Sequence, residues 1–133
     1  MVALNADRAA PSREAARVAH PVAAGVQIYT GAIVCLNAAG YAVPGSTATG
    51  LKPAGIATVQ ADNRLGDDGD MTVVVRRDHA WRVVGQGVTR AHISGDAYAV
   101  DDQTVAPTDG GGTRSKIGRI VDIDDAGVWI EVY

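Results

Sequence analysis

At 133 residues and 13.7 kDa the chain has the size of one domain and can bury a core without disulfides or metal. A formal net charge of −3 gives no ground to expect nucleic-acid binding, which would want a clustered basic face. The 47% of hydrophobic residues include no Phe, two Trp and four Tyr, and Gly occurs 16 times, so a β-branched, turn-rich all-β domain is expected rather than a helical bundle.

Residues 1–20 are rich in Ala and Arg and show no strand pattern. Arg8, Arg13 and Arg17 against Asp7 and Glu14 leave this stretch at +1, on a body of −4. Ser12 could cap a short helix over "REAARVA", but no apolar stripe recurs at helical spacing. We read residues 1–20 as an N-terminal arm and 21–133 as a single β domain. The arm has no secretory apolar core, and no run approaches the ~18 apolar residues of a membrane helix. The expectation is a soluble protein of a reducing, cytoplasmic-type compartment.

From Val22 onward strand signals recur about every ten residues, the spacing of a sandwich or barrel. The first is Val26–Tyr29. A hairpin follows, with Ile33–Leu36 leading out, Asn37–Gly40 turning and Tyr41–Val43 returning to the Pro44-Gly45 stop. Then come "AGIATVQA" (54–61), the turn "DNRLGDDGD", "MTVVVRR" (71–77) and "AWRVVG" (80–85). "AYAV" (97–100) and "TVAP" (104–107) form a second hairpin, and "KIGRIVDID" and "GVWIEVY" close the chain. In the last strand Val128, Ile130 and Val132 share one face, with Trp129, Glu131 and Tyr133 on the other.

The order repeats. "GAIVCLNAAGYAVP" (31–44) matches "GDAYAVDDQTVAP" (95–107), "AGIATVQAD" (54–62) matches "IGRIVDIDD" (117–125), and "GDMTVVV" (69–75) parallels "GVWIEV" (127–132). Gly31 is thereby set against Gly95, Gly55 against Gly118 and Gly69 against Gly127. The fold expectation is a compact jelly-roll-like sandwich or small β-barrel with an internal two-fold pseudo-repeat.

Catalytic chemistry finds no foothold. Cys35 is the lone cysteine, set in the apolar run "AIVCL", so a buried structural thiol is expected. The carboxylates at Asp62, Asp67, Asp68 and Asp70, and at Asp122, Asp124 and Asp125, lack the alternating ligands and closing Glu of a calcium loop. His20, His79 and His92 have no partner at zinc-ligand spacing. Gly110–Gly112 opens no phosphate-binding helix. No catalytic, metal or cofactor residue is assigned, and an enzyme is not expected.

Taken together, "PVAAGVQIYTGAIVCLNAAGYAVPG", "GIATVQADN", "GDDGDMTVVVRR", "GDAYAVDDQTVAPT" and "IGRIVDIDDAGVWIEV" resemble the small capsid cement or decoration proteins of tailed bacteriophages. The resemblance spans roughly residues 20–133. It implies a virion protein on the outer surface of the capsid that binds the major capsid protein and itself, as a homodimer or homotrimer. Neighbouring capsomers would be tied together against internal DNA pressure, with no direct contact to nucleic acid or membrane. The arm, with Arg8, Arg13 and Arg17, would pair with shell carboxylates, and Trp81, Trp129 and Tyr133 are the aromatic anchor candidates. The alternative is a carbohydrate-binding β module with Trp81 or Trp129 as a stacking platform in a polar groove.

Overall fold

The computed structural model describes residues 2–133. Twelve strands follow in chain order: β1 (Arg17–Pro21), β2 (Val26–Ile28), β3 (Ile33–Leu36), β4 (Ala42–Pro44), β5 (Lys52–Ala57), β6 (Ala61–Asn63), β7 (Thr72–Arg76), β8 (Trp81–Gly85), β9 (Asp96–Ala99), β10 (Thr104–Ala106), β11 (Lys116–Asp124) and β12 (Gly127–Val132). The one helical element among the described residues is a 3-10 turn at Arg90–His92. The chain is all-β, as its composition implies.

The expected segment 54–61 is two strands, because the chain bends at Thr58-Val59 and β6 pairs with β2 rather than extending β5. A second difference concerns the arm. Residues 2–16 contain no helix or strand, whereas Arg17–Pro21 pairs antiparallel with β7 in unbroken register from Arg17↔Arg76 to Pro21↔Thr72. Arg17 therefore belongs to the body. Its strand escapes a pattern reading because only Val18 is both apolar and well placed.

The two halves have one topology. The first sheet runs β4-β3-β5-β7-β1, and the second β10-β9-β11-β12-β8. The second closes into a barrel through the parallel pairs Thr104↔Val84 and Val105↔Gly85. In the first half one parallel bridge, Val22↔Ala42, sits at the same place. Each half also carries a bulge at the same point. Gly55 lies opposite Val34 and Pro53 opposite Cys35, leaving Ala54 unpaired; Gly118 lies opposite Ala97 and Lys116 opposite Tyr98, leaving Ile117.

Individual hydrogen bonds repeat 63 residues on. Ala57 N–H donates to Ala32 O at 3.0 Å and Ile120 N–H to Gly95 O at 2.9 Å. Gly31 N–H donates to Ala57 O and Ser94 N–H to Ile120 O; Ala23 N–H to Ala42 O and Gln86 N–H to Val105 O. The pseudo-repeat is thus present in the backbone, with a corrected register. Gly31 corresponds to Ser94 and Ala32 to Gly95, since matching glycine by letter slipped the hairpin by one residue. In the last pair, Val75 sits opposite Ala57 as Ile130 sits opposite Ile120, so Thr72, not Gly69, corresponds to Gly127.

That spacing is 55 instead of 63, because the path from Ala57 to its partner Val75 is eight residues longer than the path from Ile120 to its partner Ile130. The surplus is β6 and its turn. The second half joins the same two strands through Asp125-Ala126 alone, so the fold does not require the addition.

Ser94 is the only described non-glycine residue with positive φ (71°), and its counterpart Gly31 has φ 85°. A left-handed L-residue costs about 1–2 kcal/mol, partly offset in the unfolded chain when glycine replaces it. Ser94→Gly should therefore stabilise the protein by about 0.5 kcal/mol and raise its melting temperature by about 2 °C. A fall in melting temperature would show that Ser94 makes a compensating contact.

Packing explains why the two hairpins differ in sequence. One core cluster lies within the first half, around Ile28, Val34, Val73 and Val75. The other fills the second barrel, around Val105, Ile117, Ile120 and Ile130, and takes in Ile33, Cys35 and Ile56 from the first half. The last three occupy the places of Asp96, Tyr98 and Arg119 in the second half, which face solvent or are half-buried. β3 is thus apolar on both faces because the second barrel covers its outer one, which is why "AIVCL" does not alternate. Polar links stitch the halves: Ile33 N–H donates to Asp102 O (2.8 Å) and Thr47 Oγ1 to Val100 O (2.8 Å), while Ser115 Oγ donates to Ala48 O (2.7 Å) and accepts Leu51 N–H (3.0 Å). Cys35 is fully buried, and burial pushes its thiol up to about 12.

Candidate functional site

The six residues singled out in the sequence do not converge. Arg8 and Arg13 are exposed on the arm. Arg17 stands at the start of β1, directly across from Arg76. Trp81 pairs with Ile130 and Arg82 with Trp129, which puts the two indoles on opposite faces of the β8–β12 ladder. Trp81 turns inward and packs against the second core, its ring tilted against His79 at 5.9 Å between centroids. Its Nε1 is buried without a hydrogen-bond partner. Trp129 turns outward, and its Nε1 donates to Asp124 Oδ2 at 2.7 Å. That bond, with Ala126 and Gly127 N–H donating to the same carboxylate, holds Asp124 below its ordinary pKa.

A sugar platform needs an exposed ring beside a groove. Trp81 and Trp129 line none of the five best-formed surface depressions, which have volumes of about 220 to 790 Å³. The carboxylates serve turns. Asp68 Oδ1 accepts Ala24 N–H, Asp70 Oδ2 accepts Asp67 N–H, and Asp62 accepts the Arg64 guanidinium, which draws Asp62 down to about 2. Among the described residues no three His, Cys, Asp or Glu side chains are grouped to hold a metal.

What the structure does bring together lies at the two ends of the β1–β7 ladder. At one end β6 and its turn project as a tip. Asn63, buried at its base, donates through Nδ2 to Val22 O, Ala23 O and Asp67 O at 2.9–3.2 Å. Leu65 at the apex is wholly exposed and Met71 is 43% exposed, and both line a depression of about 220 Å³ beside Asp70. Arg64 is taken up by Asp62, so Asp67, Asp68 and Asp70 face solvent without a cation. Sequence reading missed this surface because "DNRLGDDGD" has the composition of an ordinary solvated turn. The only signal was Leu65 in the middle of it.

At the other end the arm leaves the body. Ala15, Ala16, Arg77, Asp78, Glu131, Val132 and Tyr133 line a depression of about 470 Å³, and Tyr133 is half exposed. Both carboxylates there are already paired. Asp78 accepts Arg76 at 2.8 Å and contacts His79, which together hold it well below the usual carboxylate range, and Glu131 accepts Arg119 at 3.1 Å. Arg77 and Arg17 have no ion-pair partner among the described residues.

No family model and no curated protein matches this sequence. Among solved structures the chain is similar to the N base of head fibre gp8.5 of bacteriophage phi29, with 17% identity and a TM-score of 0.48, over 88% of this chain and 94% of that one.

Proposed function

We propose that the protein is a non-enzymatic structural component of a tailed-phage head, bound to the outside of the assembled shell, where it cements neighbouring major capsid protein subunits. The motif order that resembles the decoration proteins supports this reading. The structural observation that carries it is a stiff, duplicated β body from which a fifteen-residue arm, 2–16, extends without regular structure. A clamp needs those two parts and no reaction centre. The arm supplies reach, of about 3.3 Å per residue when extended, and Arg8 and Arg13 supply charge for carboxylates on a neighbour. Many modest contacts on one lattice then add by multivalency, even where each is weak.

The test is co-sedimentation with cognate expanded, undecorated shells, comparing the full chain with residues 17–133. Truncation at 16 rather than 20 matters, because β1 starts at Arg17 and its loss would strip a strand from the first sheet. Saturable binding at a fixed number of copies per shell, weakened at least tenfold by truncation, is the expected result. Absence of binding by the full chain overturns the reading.

A further inference from the structure

The tip and the depression at the arm's root occupy opposite ends of the same five-residue ladder, since Met71 precedes β7 and Arg77 follows it. Their surfaces are complementary once internal ion pairs are counted. The tip is an apolar knob, Leu65, flanked by the unpaired carboxylates Asp67, Asp68 and Asp70. The depression is a hollow of about 470 Å³ whose carboxylates are neutralised and whose Arg77 is unpaired. The tip is also the eight-residue surplus that the second half of the duplication does without. At its apex Leu65 is wholly exposed and Met71 beside it is 43% exposed, so the surplus carries an apolar contact surface that the body leaves uncovered.

We propose that the occupant of the depression is the tip of a second copy of this chain: Leu65 of one copy enters the hollow beside Tyr133 of the next, with the tip carboxylates facing Arg77. The two surfaces differ and lie at opposite ends of the molecule, so the contact is heterologous, head to tail, and closes into a ring or runs on as a row according to the rotation per copy. A two-fold dimer through like surfaces is not the product. Charge complementarity decides for a second copy, because the chain itself carries both the knob and a matching socket. The arm remains free for the shell, and the association does not depend on the shell.

The experiment uses two full-length variants, Leu65→Cys and Tyr133→Cys, each pure and then mixed under mild oxidation at low ionic strength. Cys35 is buried and does not compete. A mixed disulfide should form at least tenfold faster than in a mixture of Leu65→Cys with Ser46→Cys, an exposed control position. Adding Arg77→Glu to the Tyr133→Cys protein should slow linkage about tenfold, and adding Asp70→Lys to the Leu65→Cys protein should restore it. No excess of the mixed product over the control, or faster linkage of Leu65→Cys to itself, would overturn the proposal. Because no shell is present, such a failure is distinct from failure in the sedimentation test.

Discussion

Replacing Gly118 with alanine is expected to destabilise the protein by about 3 kcal/mol or more, lowering its melting temperature by about 10 °C. The cause is position, not conformational freedom. Gly118 follows the β11 bulge, where β11 lies between Ala97 of β9 and Val132 of β12, and a Cβ added there would overlap the backbone carbonyl oxygen of Glu131, with the Val132 Cα only 3.1 Å away. Main chain cannot rotate aside as a side chain can, so the β11–β12 ladder of the closed barrel must open at its Gly118↔Val132 end. Gly85 makes a useful contrast: its nearest neighbour would be a methyl of Val128, which belongs to a side chain. The duplication sharpens the test. Gly55 holds the same bulge in the first half, and a Cβ there would meet Arg76 O at 2.7 Å. Gly55→Ala should therefore also be costly, since Glu131 and Arg76 are equivalent positions. Thermal and denaturant unfolding of both variants would check this; a loss below about 0.5 kcal/mol at Gly118 would show that the two strands part without penalty.

The same comparison shows what was legible in the sequence and what was not. The β3 boundaries, the alternation of Val128, Ile130 and Val132 with Trp129, Glu131 and Tyr133, and the match of Gly55 with Gly118 follow from short-range rules that the structure obeys. Closure could not be read. It depends on Val105 meeting Gly85 across twenty residues, and no local pattern encodes that pairing. Nor was Arg17–Pro21 visible as a strand, because it contributes Val18 alone to a core and takes its order from β7. The arginines chosen as candidates were conspicuous by composition, yet Arg77, in the middle of "VVVRRD", is the one that lines the depression. Ion pairing decided this: Arg76 and Arg119 are consumed by Asp78 and Glu131, and spacing in sequence does not say which of two adjacent arginines is left over.

Asn63 is where the tip is fixed to the body, and its replacement should separate hydrogen bonding from charge. The side-chain N–H groups face three carbonyl oxygens and the residue is 2% exposed, so the amide orientation is forced: its oxygen has no acceptor role to play on that side. Asn63→Leu removes the donors: Val22 O keeps Gly69 N–H and Asp67 O keeps Asp70 N–H, whereas Ala23 O loses its donor, at a cost of about 2 kcal/mol that should not vary with pH. Asn63→Asp keeps the shape but turns an acceptor toward acceptors. Burial and the facing carbonyls disfavour its ionised form, so the introduced carboxyl has a higher pKa folded than unfolded. The unfolded chain then releases its proton first, and the variant loses stability as pH rises above the unfolded value. At pH 7 the loss should reach about 3 kcal/mol or more, and at pH 4 most of the ionic part should return. Denaturant unfolding of both variants at the two pH values makes the comparison. Equal losses for Asn63→Asp at pH 4 and pH 7 would mean that water reaches the site, and that the tip is hinged on its β2–β6 pairing rather than locked to the Val22-Ala23 segment through this amide.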